Sequence, residues 1–116
     1  MSNILNGLWT VAFETTMDRY GRGVVVIDND RVLGGDAGYY YSGTCHITEN
    51  KLDIDLMIIR YSPNDISVFG NLDHFQLKIN GQFDEREFTA IGNIPDIPEI
   101  SDMGIIIRGT KKEDLA

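Results

Sequence analysis

Short segments in which apolar and polar residues alternate restrict the fold of this chain more than any other feature. In the clearest segment, 52–59, every second residue is a large aliphatic one: Leu52, Ile54, Leu56 and Ile58. This spacing puts the four side chains on one face of a β-strand, with Asp53 and Asp55 on the opposite, solvent-facing side. No segment repeats apolar positions at the helical period, so the pattern predicts an all-β fold.

Similar segments recur along the whole chain, with turn residues between them. We predict strands at 8–14, 21–28, 31–33, 39–47, 52–59, 74–80, 87–92 and 103–109. The turn signals are Asn29-Asp30, Thr48-Glu49-Asn50 and Asn80-Gly81. About eight short strands joined by hairpins predict an up-and-down antiparallel barrel or a sandwich. The nearest-neighbour hairpins and the glycine-rich bends favour the barrel, which also removes exposed sheet edges.

Segment 32–43 contains four glycines and three consecutive tyrosines. Glycine permits bulges and close backbone approach, and tyrosine favours strands, so this segment predicts a sharply curved sheet in which Gly34-Gly35 interrupts the pairing. Tyr39 and Tyr41 fall on one face and Tyr40 on the other. At least one tyrosine therefore points outward. Together with Val68 and Phe69 it would form a surface for a partner or a second copy of the chain. Alternatively, the tyrosines fill the wide part of a barrel.

Length and charge limit the functional classes. The 116 residues suit a single domain, 1–116, whose charged end, 110–116, we expect to be a flexible tail. A net charge of −8 disfavours contact with nucleic acid, because the phosphate backbone is also negative. Basic residues do not cluster to offset this charge, since the only adjacent basic pair, Lys111-Lys112, is followed at once by acidic residues.

The single cysteine, Cys45, cannot form an intrachain disulfide, which fits a reducing compartment. The opening residues do not resemble a signal peptide, and no apolar run approaches the length of about 20 residues that a membrane span needs. We therefore expect a cytoplasmic protein without a membrane contact.

Candidate catalytic and metal-binding residues do not converge. Cys45 and His46 are adjacent on a strand and point to opposite faces, so they do not suit a common zinc ion. Asp53 and Asp55 would lie roughly 6.5 to 7 Å apart, a spacing that could serve glycoside hydrolysis, but acidic residues are expected on a wet strand face. Ser42 lacks a nucleophile elbow and a base. We predict no catalytic residue, no metal site and no cofactor.

The first and last strands hold a candidate barrel-closing pair. Trp9 is the only tryptophan and begins the first strand, while Arg108 lies near the end of the last one. These strands are neighbours in a closed barrel. The sequence therefore predicts a cation–π contact between Arg108 and Trp9, worth about 1 to 2 kcal/mol when partly buried.

Two sets of residues resemble known families. Gly7-Leu8-Trp9 with a late arginine is similar to the minimal signature of the lipocalin-like, or calycin, barrels. A more detailed set resembles the GrlR-like family, which comprises the negative regulator of type III secretion and related small bacterial proteins. It consists of Gly21-x-Gly23-Val24, Leu33-Gly34-Gly35-Asp36, Tyr39-x-Tyr41-x-Gly43, Arg60-Tyr61 and Ser67-Val68-Phe69. This resemblance spans about 7–108.

The resemblance implies a small lipocalin-like barrel that forms a homodimer and acts by binding a transcriptional activator protein. The regulator carries an acidic run in one turn, where this chain has Thr48-Glu49-Asn50-Lys51 and only Glu49 is acidic. Asp53 and Asp55 could take over that role from the following strand.

The sequence therefore predicts a noncatalytic, cytoplasmic binding protein that forms a homodimer. Its partner or dimer surface would include the following residues: Tyr40, Val68, Phe69, Glu49, Asp53 and Asp55. The alternative function is a carrier or sensor of a small apolar ligand inside the barrel. Large aromatic side chains filling the interior would argue against the carrier.

Overall fold

Eight antiparallel strands close into a barrel in the computed structural model of the chain. The structure describes residues 5–15, 20–62, 74–84, 86–94 and 105–115. The strands are β1 (Gly7–Thr15), β2 (Tyr20–Asp28), β3 (Arg31–Gly35), β4 (Tyr39–Thr48), β5 (Lys51–Arg60), β6 (His74–Phe83), β7 (Glu87–Asn93) and β8 (Ile105–Asp114). Each strand pairs with its neighbours in sequence, and β1 pairs with β8. The predicted all-β, up-and-down barrel is therefore confirmed.

The alternation in the sequence decides which side chains fill the barrel. Leu52, Ile54, Leu56 and Ile58 are buried in one cluster with the inward-facing residues of the other strands. Large rings meet across the interior: the ring centroids of Trp9 and Phe88 are 5.2 Å apart, and those of Phe13 and Tyr41 are 6.1 Å apart. Burial of these apolar side chains is the main force that holds the closed sheet together.

Two of the predicted turns occur where expected. Asn29 and Glu49 adopt the left-handed backbone conformation, each with φ of 58°, in the β2–β3 and β4–β5 hairpins. Asparagine enters this conformation readily, whereas glutamate does so only where the flanking strands fix the turn.

The prediction of a hairpin at Asn80-Gly81 is wrong. Both residues lie inside β6, paired with β5 on one side and with β7 on the other. The chain turns after Phe83 instead, where the Asp84 carboxylate accepts hydrogen bonds from the backbone N–H groups of Arg86 (2.9 Å) and Glu87 (3.0 Å). These bonds lower the pKa of the Asp84 carboxyl group. The aspartate side chain that accepts the N–H groups of its own turn therefore determines where the chain reverses, rather than Asn80-Gly81.

Two further expectations about the strands need correction. Gly34 and Gly35 do not interrupt the pairing, because both belong to β3 and pair with β2 and with β4. The expected tail at 110–116 is also wrong for its first part, since β8 continues to Asp114 and pairs with β1 as far as Gly7. Lys111 is the one buried residue of 110–114, and pairing with β1 keeps the rest of this charged segment in the sheet.

Close contact between β4 and its neighbouring strands depends on the glycine at position 43. A side chain at Gly43 would collide with the backbone of Asp55 and Leu56 on β5. Gly43 pairs directly with Leu56 and with Val32, so it lets β3, β4 and β5 approach closely at this position.

Candidate functional site

The connection between β3 and β4 is organised by one carboxylate. Asp36 accepts hydrogen bonds from the backbone N–H groups of Gly38 and Tyr39, both at 2.9 Å, and from the hydroxyl group of Tyr41. The Tyr61 hydroxyl donates to the Asp36 carbonyl oxygen at 2.6 Å. Burial, followed by the bond to Asp36, raises the pKa of Tyr41 far above its usual value. This tyrosine therefore stays protonated and acts as a structural donor.

The neighbouring Tyr39 hydroxyl is held by an arginine. Arg60 donates to it from Nε at 3.1 Å and from Nη2 at 2.9 Å, and the guanidinium carbon lies 5.5 Å from the centre of the Tyr39 ring. Tyr39 and Tyr41 are both buried, while Tyr40 points outward, as their alternation predicts. Two of the three tyrosines thus fill the barrel, and one is available at the surface.

Trp9 closes one end of the barrel, but not with the predicted partner. The indole is fully buried and donates from Nε1 to the carbonyl oxygen of Leu5 at 2.8 Å. The cation above its ring is Lys111, with Nζ 5.8 Å from the ring centroid. Lys111 Nζ also lies 3.0 Å from Asp114 Oδ1, and this pairing lowers the pKa of the Asp114 carboxyl group.

Arg108 therefore does not stack on Trp9, which corrects the predicted barrel-closing pair. Arg108 pairs in register with Ala12 and points to the outside of the barrel, where it lies 3.8 Å from the Glu14 carboxylate. Residues three apart on a strand point to opposite faces, so Lys111 faces inward where Arg108 faces outward. The predicted adjacency of the first and last strands is nevertheless correct.

An apolar surface surrounds Tyr40 on the outer wall of β2 to β5. We define the Tyr40 face by four outward side chains: Val24, Leu33, Tyr40 and Met57. Their exposed fractions are 44%, 46%, 45% and 36%, respectively. Cross-strand pairing places them together, because Gly35 lies between Val24 and Tyr40, and Ser42 lies between Leu33 and Met57. Val68 and Phe69, the other apolar members of the predicted surface, lie outside the described residues.

The acidic members of the predicted surface lie along β5 and in the turn before it, and only Asp55 adjoins this face. Glu49 is exposed in the β4–β5 turn, and Asp53 is exposed on β5. Asp55 is partly exposed and lies 3.9 Å from Lys78 Nζ on β6. At this separation and exposure the pair is screened by solvent and contributes little to stability.

The remaining candidates for chemistry stay apart. His46 and His74 are exposed on the outer wall, and Ser42 lies between Leu33 and Met57 on that wall. Cys45 is fully buried, and burial, followed by the charges of Asp30 and Asp53, raises the pKa of its thiol to about 11. In the described part of the chain, no three histidine, cysteine or acidic side chains are grouped so that they could hold a metal ion.

The fold also brings together three cations that are distant in the sequence. Arg22 on β2 and Arg108 on β8 both pair with Ala12 on β1, and Lys112 is a further outward residue of β8. Sequence reasoning missed this cluster because it depends on strand pairing between the two ends of the chain. The only local signal is that each cation occupies an outward position of its own strand.

Comparison with known proteins shows the class of fold. The chain matches no protein-family model, and it matches no curated protein. Among solved structures it is similar to a redesigned β-barrel, b11L5F_LGL, with a TM-score of 0.60 and 15% sequence identity over 95% of this chain and 93% of that one. This protein is therefore a closed eight-stranded antiparallel barrel. The comparisons give no support to the GrlR-like resemblance, which rests on the sequence motifs alone.

Within the described residues, no helix is long and apolar enough to cross a membrane.

Proposed function

We propose that this chain is a noncatalytic binding protein that works through the outer wall of its barrel and forms a homodimer through the Tyr40 face. The observation that carries the proposal is the grouping of Val24, Leu33, Tyr40 and Met57 on adjacent strands with large exposed fractions. Clustered apolar side chains on an outer wall are typical of protein interfaces, in which aromatic residues and methionine are enriched.

A second copy of the chain is the proposed occupant of this face. The next row of outward residues carries charges of both signs, with Arg31 and Asp55 on either side of Thr44. A two-fold axis through the Tyr40 face would bring Arg31 of one protomer towards Asp55 of the other. Such a face is self-complementary in both its apolar centre and its charged edge.

Sedimentation velocity over a range of protein concentrations tests the dimer. We expect a dimer for the natural sequence and a monomer for Tyr40→Asp, because the substitution places a charge at the apolar centre of the contact. Ile91→Asp is the matched control, since Ile91 is an exposed apolar residue of β7 outside this face. A natural sequence that stays monomeric, or an equal loss of dimer in both variants, would contradict the proposed interface.

The GrlR-like motifs extend the proposal to a negative regulator that binds a transcriptional activator in the cytoplasm. Glu49 and Asp53 are its proposed acidic contacts, because both are exposed at the β4–β5 turn end of the wall that carries the Tyr40 face. Affinity capture from the native host should retain a transcriptional activator, and retention should fall for Glu49→Gln/Asp53→Asn. Recovery of the protein alone would leave the regulatory role without support.

The alternative role, a carrier of a small apolar ligand, needs space inside the barrel. Phe13, Phe75 and Phe88 are buried there, and the ring contacts of Trp9 and Tyr41 span the interior. This filling favours an outer-wall binding protein over a carrier. We expect that a fluorescent fatty acid will show no saturable binding; stoichiometric binding would favour the carrier.

A further inference from the structure

The outer wall formed by β8, β1 and β2 carries a groove with a basic lining. Its volume is about 530 Å³, and its lining includes Ala12, Arg22, Arg108 and Lys112. Val24 lines its β2 side, so the groove borders the Tyr40 face. Ala12 pairs in register with Arg22 on one side and with Arg108 on the other. A small residue between two long ones leaves a channel whose walls are the two arginine side chains.

The cations in this groove are available for an anionic ligand. Among the described residues, neither Arg22 nor Lys112 forms an ion pair. Arg108 lies 3.8 Å from Glu14, but its side chain is 64% exposed, so water can replace this weak pairing when a ligand arrives. The groove is thus a local positive surface on a chain whose net charge is −8.

The groove continues towards an end where two exposed apolar side chains flank the Glu14 carboxylate. A second depression of about 320 Å³ shares Ala12, Arg22 and Arg108 with the first and reaches Tyr20 and Ile106. Tyr20 and Ile106 are exposed, and both pair with Glu14, so they lie on either side of β1. From Ile106 to Lys112 the combined groove follows β8 for about 20 Å.

We propose that this groove binds an extended acidic peptide segment of a protein partner, with an apolar or aromatic residue at one end. The inference rests on the proposed function, because it assigns a second contact to the same partner-binding barrel. Six extended residues span about 20 Å. The apolar residue of the segment packs against Tyr20 and Ile106, at the end where a carboxylate would be repelled by Glu14. The carboxylates of the segment meet the guanidinium groups of Arg22 and Arg108, which match carboxylates in a bidentate geometry.

The charge balance favours a short acidic segment over a nucleic acid. A long polyanion would extend beyond the groove and meet the acidic surface of the remaining barrel, whose repulsion would oppose binding. A short segment ends within the basic lining and avoids that cost.

Fluorescence anisotropy with synthetic hexapeptides tests the proposal. The probes carry a fluorescein label and a tryptophan at either the first or the last position, and the other positions alternate between glutamate and aspartate. We expect one of the two orders to bind saturably, with an affinity that falls as salt is added. Arg22→Gln/Arg108→Gln should weaken binding about tenfold or more, because both carboxylate contacts are removed. Lys51→Gln, which changes an exposed cation of β5 outside the groove, should leave the affinity unchanged.

Three results would overturn the inference. One is equal binding by Arg22→Gln/Arg108→Gln and the natural sequence, and another is equal binding of a peptide in which lysine replaces the acidic residues. The third is the absence of saturable binding by either peptide order. Failure of peptide binding together with an intact Tyr40-dependent dimer would reject the groove and keep the proposed dimer. Because Val24 borders both surfaces, peptide binding is also measured with the Tyr40→Asp variant, and binding that persists in this monomer would keep the groove even if the natural sequence proves not to dimerise.

Discussion

The hydroxyl group of Tyr41 donates a hydrogen bond to the carboxylate of Asp36, five residues earlier in the chain. The same carboxylate accepts the backbone N–H groups of Gly38 and Tyr39, so one side chain fixes both the turn and the ring that enters the barrel. The curved β3–β4 corner therefore depends on a partly buried polar network within an apolar interior.

Removing this hydroxyl group should destabilise the protein. We expect Tyr41→Phe to lower the free energy of unfolding by about 1 to 2 kcal/mol, because the charged Asp36 loses a donor while the ring is retained. Urea denaturation measures this change. Tyr20→Phe is the control, since the Tyr20 ring is exposed, and it should change the free energy by less than about 0.5 kcal/mol. Equal effects of the two variants would show that the Asp36 contact contributes nothing.

Space for the Tyr41 hydroxyl group is provided by Gly23 on β2. A Cβ atom at Gly23 would lie 2.9 Å from the Tyr41 hydroxyl oxygen and 3.0 Å from the Gly35 carbonyl oxygen. We expect Gly23→Ala to cost about 1 to 3 kcal/mol through this crowding. In the Tyr41→Phe background the cost should shrink by at least about 0.5 kcal/mol, because one of the crowded atoms is absent.

A double-mutant cycle from chemical denaturation measures this coupling between Gly23 and Tyr41. Gly92→Ala is the matched control, since a Cβ atom there would meet Ile107 and Leu77 rather than Tyr41. Its effect should add to that of Tyr41→Phe. Additivity for Gly23→Ala as well would mean that the hydroxyl group does not set the need for glycine.

The cation that stabilises the Trp9 end of the barrel is Lys111. We expect Lys111→Ala to lower the free energy of unfolding by about 1 to 3 kcal/mol, because it removes a buried stem, the contact with the indole and the bond to Asp114. Arg108→Ala should cost less than about 1 kcal/mol, because its partner Glu14 is reached only at the surface. Melting curves of the two variants compare these cations. A larger loss of stability for Arg108→Ala than for Lys111→Ala would contradict the assignment of Lys111 as the cation that stabilises Trp9.

Cys45 should be chemically inert while the barrel is folded. Because burial raises the pKa of its thiol to about 11, very little thiolate is present at neutral pH, and the side chain is also shielded from reagents. A chromogenic disulfide reagent at mildly alkaline pH should react slowly with the native protein and rapidly once denaturant is added. Equally rapid labelling of both forms would show that the thiol is accessible.

The alternation of apolar and polar residues was sufficient to predict the fold class and to predict which side chains of many strands point into the barrel. Alternation separated Tyr39 and Tyr41 from Tyr40 and placed Leu52 to Ile58 in the core, because each strand keeps one face towards the interior. Alternation alone could not show which cation lies beside Trp9, because contact between neighbouring strands depends on their register. Lys111 lies opposite Trp9 through the register of β1 with β8 that is unbroken from Trp9 to Thr15, and nothing in the local sequence marks this register.

The basic groove shows a second limit of sequence reasoning. Arg22 and Arg108 are separated by most of the chain, and only closure of the barrel places both beside Ala12. Closure is a long-range property, whereas hairpin signals such as Asn29 and Asp84 report only local geometry. The Asp84 turn, in contrast, rests on a local signal that the prediction at Asn80-Gly81 did not consider: an aspartate whose carboxylate accepts the N–H groups of residues two and three positions later.

Amide hydrogen exchange followed by NMR tests barrel closure, on which the shared outer wall of β8, β1 and β2 depends. In the closed barrel, β1 is hydrogen-bonded to β2 on one side and to β8 on the other, so successive amides from Leu8 to Glu14 should all exchange slowly. The amides of β8 opposite β1 should be protected to the same degree. Rapid exchange of every second amide in both β1 and β8 would show two free sheet edges and would contradict the closed barrel.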